Sequence, residues 1–366
     1  MKQQGCLPGL AALARNALAG TLGLLLAAAL FEGGSRAAGL HSPALRPSDT
    51  ALWAYDPVKG WFHSPKATGQ VRIGGPDEGR VLINGLGLRG PELTLAKPAA
   101  TRRLLVLGDS FVFGIGVDQE HLFTTQLQQL LDSRGAGRFE VVNLGVAGYS
   151  TDQQLLLLEE LGLRLHPDVV LLVMCDNDFE ANTQDFVYGR YYKPFFDLDP
   201  AGDLRRSKTP VPRLNEIQRV KLWLGQHSNL WNLLRTRRSQ LPWLQRWVDS
   251  LQVARPRPTS TNPIRLTAAL VLELRRAAEA VGARFVVFNT GHRGERTTLF
   301  HELRPLLASA QVEHLGLEGF LENARARQPG RNWDFPSEGD IHWNVDAHQL
   351  AAQVAYTHLR RLGWLP

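Results

Sequence analysis

The chain has 366 residues, 44% hydrophobic and 21% charged, with 41 basic against 35 acidic residues and a formal net charge of +6. That length suits one large domain carrying an insertion, or two domains, with a core large enough to need no disulfide or structural metal. The composition excludes disorder and a disulfide scaffold, and a single long apolar run excludes a polytopic membrane protein.

The modest positive charge suits an anionic membrane surface, an acidic polysaccharide or nucleic acid. No zinc-finger, helix-turn-helix or aromatic RNA-binding motif accompanies it, so no nucleic-acid partner is expected. Cys6 and Cys175 lie on either side of the apolar run. They are not expected to pair, and neither stands at metal-ligand spacing.

Taken in chain order, residues 1–39 read as a signal or membrane anchor. Gly9–Phe31 carries Arg15 as its one charge, and Ser35-Arg36-Ala37 offers a small-residue cleavage site. Retained as an anchor or cleaved as a signal, this segment places the rest of the chain outside the cytoplasm; only a soluble buried helix would not. Residues 40–100 are rich in Gly and Pro with short alternating pieces, and read as a β-containing arm ending in the linker Lys97–Thr101.

From residue 101 to 366 the rhythm changes. Arg103–Leu107, Glu140–Asn143, Asp168–Met174 and Arg284–Phe288 are continuous apolar runs of strand length. The stretches Gln119–Ser133, Thr151–Leu165 and Ile264–Val281 between them read as helices. A weaker strand is expected at Val312–Leu315 and a closing helix at Val345–Leu362. Apolar strands alternating with helices predict an α/β fold whose parallel sheet is covered on both faces.

Between about 180 and 263 the rhythm is interrupted and no clear strand is expected. Leu214–Val248 interleaves Trp223, Trp231, Trp243 and Trp247 with arginines, and Pro242 divides it into two helices. This helical insertion reads as an amphipathic lid, as a surface for stacking sugars, or as a basic helix on lipid headgroups.

Ligands of an open α/β sheet bind at the carboxyl ends of its strands. There the sequence places Gly108-Asp109-Ser110, the Gly145–Thr151 turn and Asn177-Asp178, with Asp340-Ile-His342-Trp343 before the last helix. A serine nucleophile needs a base, an acid to orient that base, and donors for the oxyanion. Ser110 suits the nucleophile, His342 the base and Asp340 the acid. The N–H groups of Ser110 and Gly148, with the Asn177 amide, suit the oxyanion hole. The bland alternatives are a helix cap for Ser110, a loop histidine for His342 and turn residues for Gly148 and Asn177.

Together these blocks resemble the SGNH (GDSL-like) hydrolase superfamily, in order from about Arg102 to Leu362. The resemblance implies a flavodoxin-like three-layer α/β/α sandwich and a Ser-His-Asp esterase or acyltransferase mechanism. No metal and no other cofactor is expected.

The sequence departs from the family twice. Cys175 stands where the family usually has Gly, and Gly339 stands three residues before His342, where many members carry the acid. The Asp340-x-His342-Trp343 pattern instead resembles that of extracytoplasmic polysaccharide O-acetyltransferases. Glu338 is the nearest substitute should Asp340 not serve. Tyr55–Trp61, Ile83-Asn84, Gly87–Gly90 and Tyr192–Asp199 further resemble membrane-anchored bacterial SGNH proteins of the cell envelope.

Three functions follow as expectations. The first is a cell-envelope serine esterase acting through an acyl-enzyme on Ser110, on an acyl ester such as an acylated polysaccharide or lipid. The second is a polysaccharide O-acyltransferase using the same triad, and the third a non-catalytic carbohydrate-binding or assembly protein on the same fold. The expected location is the periplasmic face of a bacterial inner membrane, or secretion if the leader is cleaved.

Overall fold

The computed structural model describes residues 7–39, 52–72, 78–135, 137–188, 191–207, 210–237, 246, 261–291, 297–334 and 342–365. Helix α1 (Leu7–Ala37) opens it. Four short strands follow as two antiparallel hairpins, β1 (Trp53–Asp56) with β2 (Gly60–His63) and β3 (Thr68–Arg72) with β4 (Glu78–Leu82). Next come β5 (Thr101–Gly108), the one-turn helix α2 (Ser110–Phe113), α3 (Phe123–Ser133) and β6 (Arg138–Gly145). The chain continues through α4 (Thr151–Leu157), β7 (Val169–Met174) and α5 (Asn177–Ala181).

Two further hairpins lie where the sequence pattern predicts no strand. They pair β8 (Phe186–Val187) with β9 (Tyr191–Tyr192), and β10 (Phe195–Leu198) with β11 (Leu204–Ser207). These strands are two to four residues long, too short to write an alternating pattern into the sequence. Helices α6 (Glu216–His227) and α7 (Asn229–Arg237) follow. The rest is α8 (Pro263–Ala280), β12 (Arg284–Asn289), α9 (Thr297–Ser309), β13 (Glu313–Gly316), α10 (Glu318–Arg327) and α11 (Val345–Arg361). Pro242, Trp243 and Trp247 lie outside the described residues.

The chain forms two compact units, Met1–Ala44 with Glu216–Val253, and Leu45–Asn215 with Ala254–Pro366. In the larger unit, five parallel strands make a sheet of order β13-β12-β7-β5-β6. Alternate residues of each strand point to opposite faces. Leu105, Leu107, Leu172 and Val287 pack on one face with α4, α8 and α9, and Leu104, Val106, Leu171 and Val286 on the other with α2, α3 and α11. Burying each such side chain contributes about 1.5–3 kcal/mol, so the strands read as unbroken apolar runs. The fold is therefore the α/β/α sandwich that the sequence predicts.

The Thr151–Leu165 helix is not uniform. It is α-helical to Leu157, widens to a π-turn over Leu158–Gly162 and tightens to a 3₁₀ turn over Leu163–Leu165. In the smaller unit α1 is long and apolar enough to cross a membrane over Arg15–Ala37, and its most apolar eighteen residues have a mean hydropathy of 1.6 and none buried.

Candidate active site

Each piece of the site is placed by the end of a strand or the start of a helix. Leaving β5, the chain turns through Asp109, whose carboxylate accepts the Phe111 N–H at 2.9 Å and caps α2. Ser110 is the first helical residue, so its N–H has no place in the helix ladder. The turn is tight against its neighbours: a Cβ on Gly108 would lie 2.3 Å from the Val112 side chain, and one on Gly145 2.3 Å from the Phe113 nitrogen. Glycine at those two positions lets α2 sit directly on β5 and β6.

The other end of α2 is held by Arg89, a residue of the N-terminal arm that is 1% exposed. Its guanidinium donates to the carbonyls of Phe113 (2.7 Å), Gly114 (2.6 Å), Arg80 (2.8 Å) and Val117. A cation at a helix C-terminus complements the exposed carbonyls there. Burial pushes the Arg89 pKa down to about 9, still charged at neutral pH.

His342 completes the pair. Its Nε2 lies 2.7 Å from Ser110 Oγ, and its ring stacks on Phe111 at 4.9 Å between centroids. Trp343, 2% exposed, pins the next position: its indole N–H donates to the Thr290 carbonyl at 3.2 Å and its backbone pairs with Asp334. Asn344 then caps α11 by accepting the Ala347 N–H at 3.1 Å. Asp340 and Glu338 lie outside the described residues.

Gly148 sits in the turn after β6 with a φ of 81°, which favours glycine. Asn177 starts α5 after β7, and its amide donates to the Tyr188 hydroxyl at 3.3 Å. The same hydroxyl donates to the Gly148 carbonyl at 3.5 Å. Tyr188 thus bridges two of the residues predicted to bind an oxyanion. It does so from a φ of 56°, a strained conformation for an aromatic residue.

The buried carboxylates nearby hold loops. Asp178 accepts the Cys175 N–H at 2.8 Å and the Thr151 hydroxyl at 3.3 Å; burial, then the neighbouring Asp109, pushes its pKa well up. Burial also raises Asp109, opposed by the Phe111 N–H and the facing His342. Cys175 packs into the core at the end of β7, and burial pushes its thiol pKa well up. Asp152 and Lys193 form a fully enclosed ion pair, which ties α4 to the segment between the two later hairpins. Lys193 also donates to the Ala181 carbonyl at 3.0 Å. Among the described residues no group of three or more His, Cys, Asp and Glu side chains is placed to hold a metal ion.

Sequence reasoning names Ser110, Gly148, Asn177 and His342, but misses Arg89, Tyr188, Lys193 and the ring of Phe111. Arg89 stands in a Gly-Leu-Arg-Gly turn, where a lone arginine carries no signal of burial. Phe111 follows Ser110 directly, but only the fold turns its ring onto His342.

The profile of the GDSL-like Lipase/Acylhydrolase family matches residues 106–350, which spans every block of this site. The chain belongs to the GDSL-like lipase/acylhydrolase family. This GDSL-like hydrolase is an SGNH-type serine hydrolase, an esterase-type enzyme by family. Among solved structures it is similar to TesA, with 16% identity and a TM-score of 0.39, over 71% of this chain and 99% of that one. It is also similar to the lipase/acylhydrolase from Enterococcus faecalis, with 14% identity and a TM-score of 0.38, over 72% of this chain and 97% of that one. The psychrotrophic esterase EstA from Pseudoalteromonas sp. shows 14% identity and a TM-score of 0.39, over 71% of this chain and 98% of that one. No curated protein matches the hydrolase, and its family assignment rests on the match over 106–350.

Proposed function

We propose that this hydrolase cleaves acyl esters in the cell envelope through an acyl-enzyme on Ser110. The observation that carries the reading is the 2.7 Å approach of His342 Nε2 to Ser110 Oγ. At that distance the imidazole takes the hydroxyl proton as Oγ attacks the acyl carbonyl carbon. The carbonyl π-electrons move onto oxygen. That oxyanion is met by the Ser110 N–H, the Gly148 N–H and the Asn177 amide, each such donor stabilising the transition state by about 3 kcal/mol. Collapse expels the alcohol, which leaves with the proton from His342. Water then repeats the sequence on the acyl-enzyme and releases the acid. Asp340 orients and supports the imidazolium in this reading.

A carbohydrate hydroxyl in place of water turns the same steps into O-acyl transfer. The observation favouring it is the Tyr188 ring, 52% exposed beside Gly148, a face on which a sugar can stack. Helix α1 supports anchoring at the periplasmic face of a bacterial inner membrane.

The test compares wild type with Ser110→Ala in p-nitrophenyl acetate turnover, with intact mass read after a fluorophosphonate probe. Turnover falling at least about a thousandfold, with one adduct on the wild type alone, is expected. Equal turnover and no adduct would overturn the proposal. Acetylated oligosaccharide among the products, when oligosaccharide is added, would shift the assignment to transfer.

A further inference from the structure

The last turns of α1 carry three polar side chains that do not suit hydrocarbon, Glu32, Ser35 and Arg36, and each has a partner on the α6–α7 hairpin. Glu32 accepts the backbone N–H groups of Asn229 and Leu230 at 3.0 and 3.2 Å and the Ser228 hydroxyl at 3.1 Å. The Asn229 amide donates to Ser35 Oγ at 3.0 Å. Arg36, paired with Glu32 at 2.9 Å, donates to the His227 carbonyl. These contacts place a carboxylate on the first N–H groups of α7 and a guanidinium on the last carbonyl of α6. Both ends of the α6–α7 elbow are therefore capped by α1.

A leader destined for removal has no need of such partners. Yet the Ser35-Arg36-Ala37 stretch, which the sequence offers as a cleavage site, lies within them, and Ser35 is buried. Glu32 directly follows Phe31, the last residue of the apolar run, so about 1.5 Å of helical rise separates the hydrocarbon-compatible segment from the elbow. The hairpin is thus fastened at the level where such a segment leaves a bilayer.

The hairpin also exposes apolar surface. Ile217, Val220 and Trp223 lie three residues apart on α6 and are 51%, 55% and 57% exposed. From 216 to 237 the sequence carries four basic residues, Arg219, Lys221, Arg235 and Arg237, against Glu216 alone. Exposed aliphatic residues and tryptophan on a hairpin with an excess of basic residues match the chemistry of an anionic membrane interface.

We propose that α1 is retained and that the α6–α7 hairpin, locked to its exit turn, lies in the headgroup layer of an anionic bilayer with Ile217, Val220 and Trp223 inserted. The inference rests on the anchor reading above and adds a second membrane contact to it.

The test uses the full chain reconstituted in phosphatidylcholine vesicles with or without phosphatidylglycerol. In a Cys6→Ser background, an environment-sensitive dye is attached at Trp223→Cys, or at Val220→Cys should the first variant not fold. A dye at Ala201→Cys, in an exposed turn, is the reference. Lipid-borne quencher is expected to quench the α6 dye several-fold more than the reference, and more strongly with phosphatidylglycerol present. The membrane-bound protein is expected to keep residues 1–37 by intact mass. Quenching equal to the reference, or a mass starting near residue 38, overturns the proposal, and quenching indifferent to phosphatidylglycerol overturns its anionic part. Fluorophosphonate labelling of the same vesicles reads the hydrolase assignment separately.

Discussion

His348 lies in the first turn of α11, fully enclosed, with its Nδ1 accepting the Phe123 N–H at 2.9 Å and its ring edge-on to Trp343. Only an unprotonated Nδ1 can accept that bond. Burial, and then the nearby Arg89 and His342, push its pKa from 6.5 down to about 3. The unfolded chain takes up this proton near pH 6.5, whereas the native one refuses it until about pH 3. Between those values the unfolded state holds more protons, so stability is full above pH 6.5 and falls as the pH drops, levelling off near pH 3. At about pH 4 the histidine is about 2.5 units below its unfolded pKa, which costs about 3 kcal/mol. His348→Asn keeps an acceptor close to the Nδ1 position and does not titrate. Urea unfolding of the full chain in detergent, at pH 7.5 and pH 4, should show the wild type losing about 3 kcal/mol more than the variant. Parallel losses in the two proteins would refute the reasoning.

Other perturbations test other parts of the fold. Lys193→Met leaves Asp152 charged and enclosed; it should destabilise by about 3–5 kcal/mol in thermal melts, and Asp152→Asn added to it should recover part of that. Gly145→Ala forces a Cβ onto the Phe113 backbone, where no side chain can move aside; a lower melting temperature together with lost esterase activity is expected. Tyr188→Ala should raise kcat/KM for p-nitrophenyl butyrate relative to acetate by about tenfold, while Tyr188→Phe, which keeps the ring, should change that ratio little. An unchanged ratio in Tyr188→Ala would refute the expectation that this ring, beside Asn177 and Gly148, limits the room for the acyl chain.

The parallel sheet is readable from sequence because burial on both faces demands unbroken apolar runs, as Leu104–Leu107 and Val169–Met174 show. Ser110 and His342 are readable because helix starts and strand ends leave clear local marks around them. The later hairpins are not, since two residues of β8 against two of β9 write no period. Tyr188 escaped for a different reason: its importance lies in where a strained backbone points it, and strain leaves no trace in residue type. Likewise Lys193 looks like any surface lysine until the fold closes Asp152 over it.

The grip of Arg89 on α2 means that the helix begun by Ser110 is finished by a residue twenty-one positions upstream of it. Four main-chain carbonyls share one guanidinium there, so the β-hairpin arm and the sheet are one mechanical piece. A fragment begun at β5 would carry every residue of the Ser110–His342 pair and still lack the fastening that keeps α2 in register. In this enzyme the smallest part that can work is larger than the part that does the chemistry.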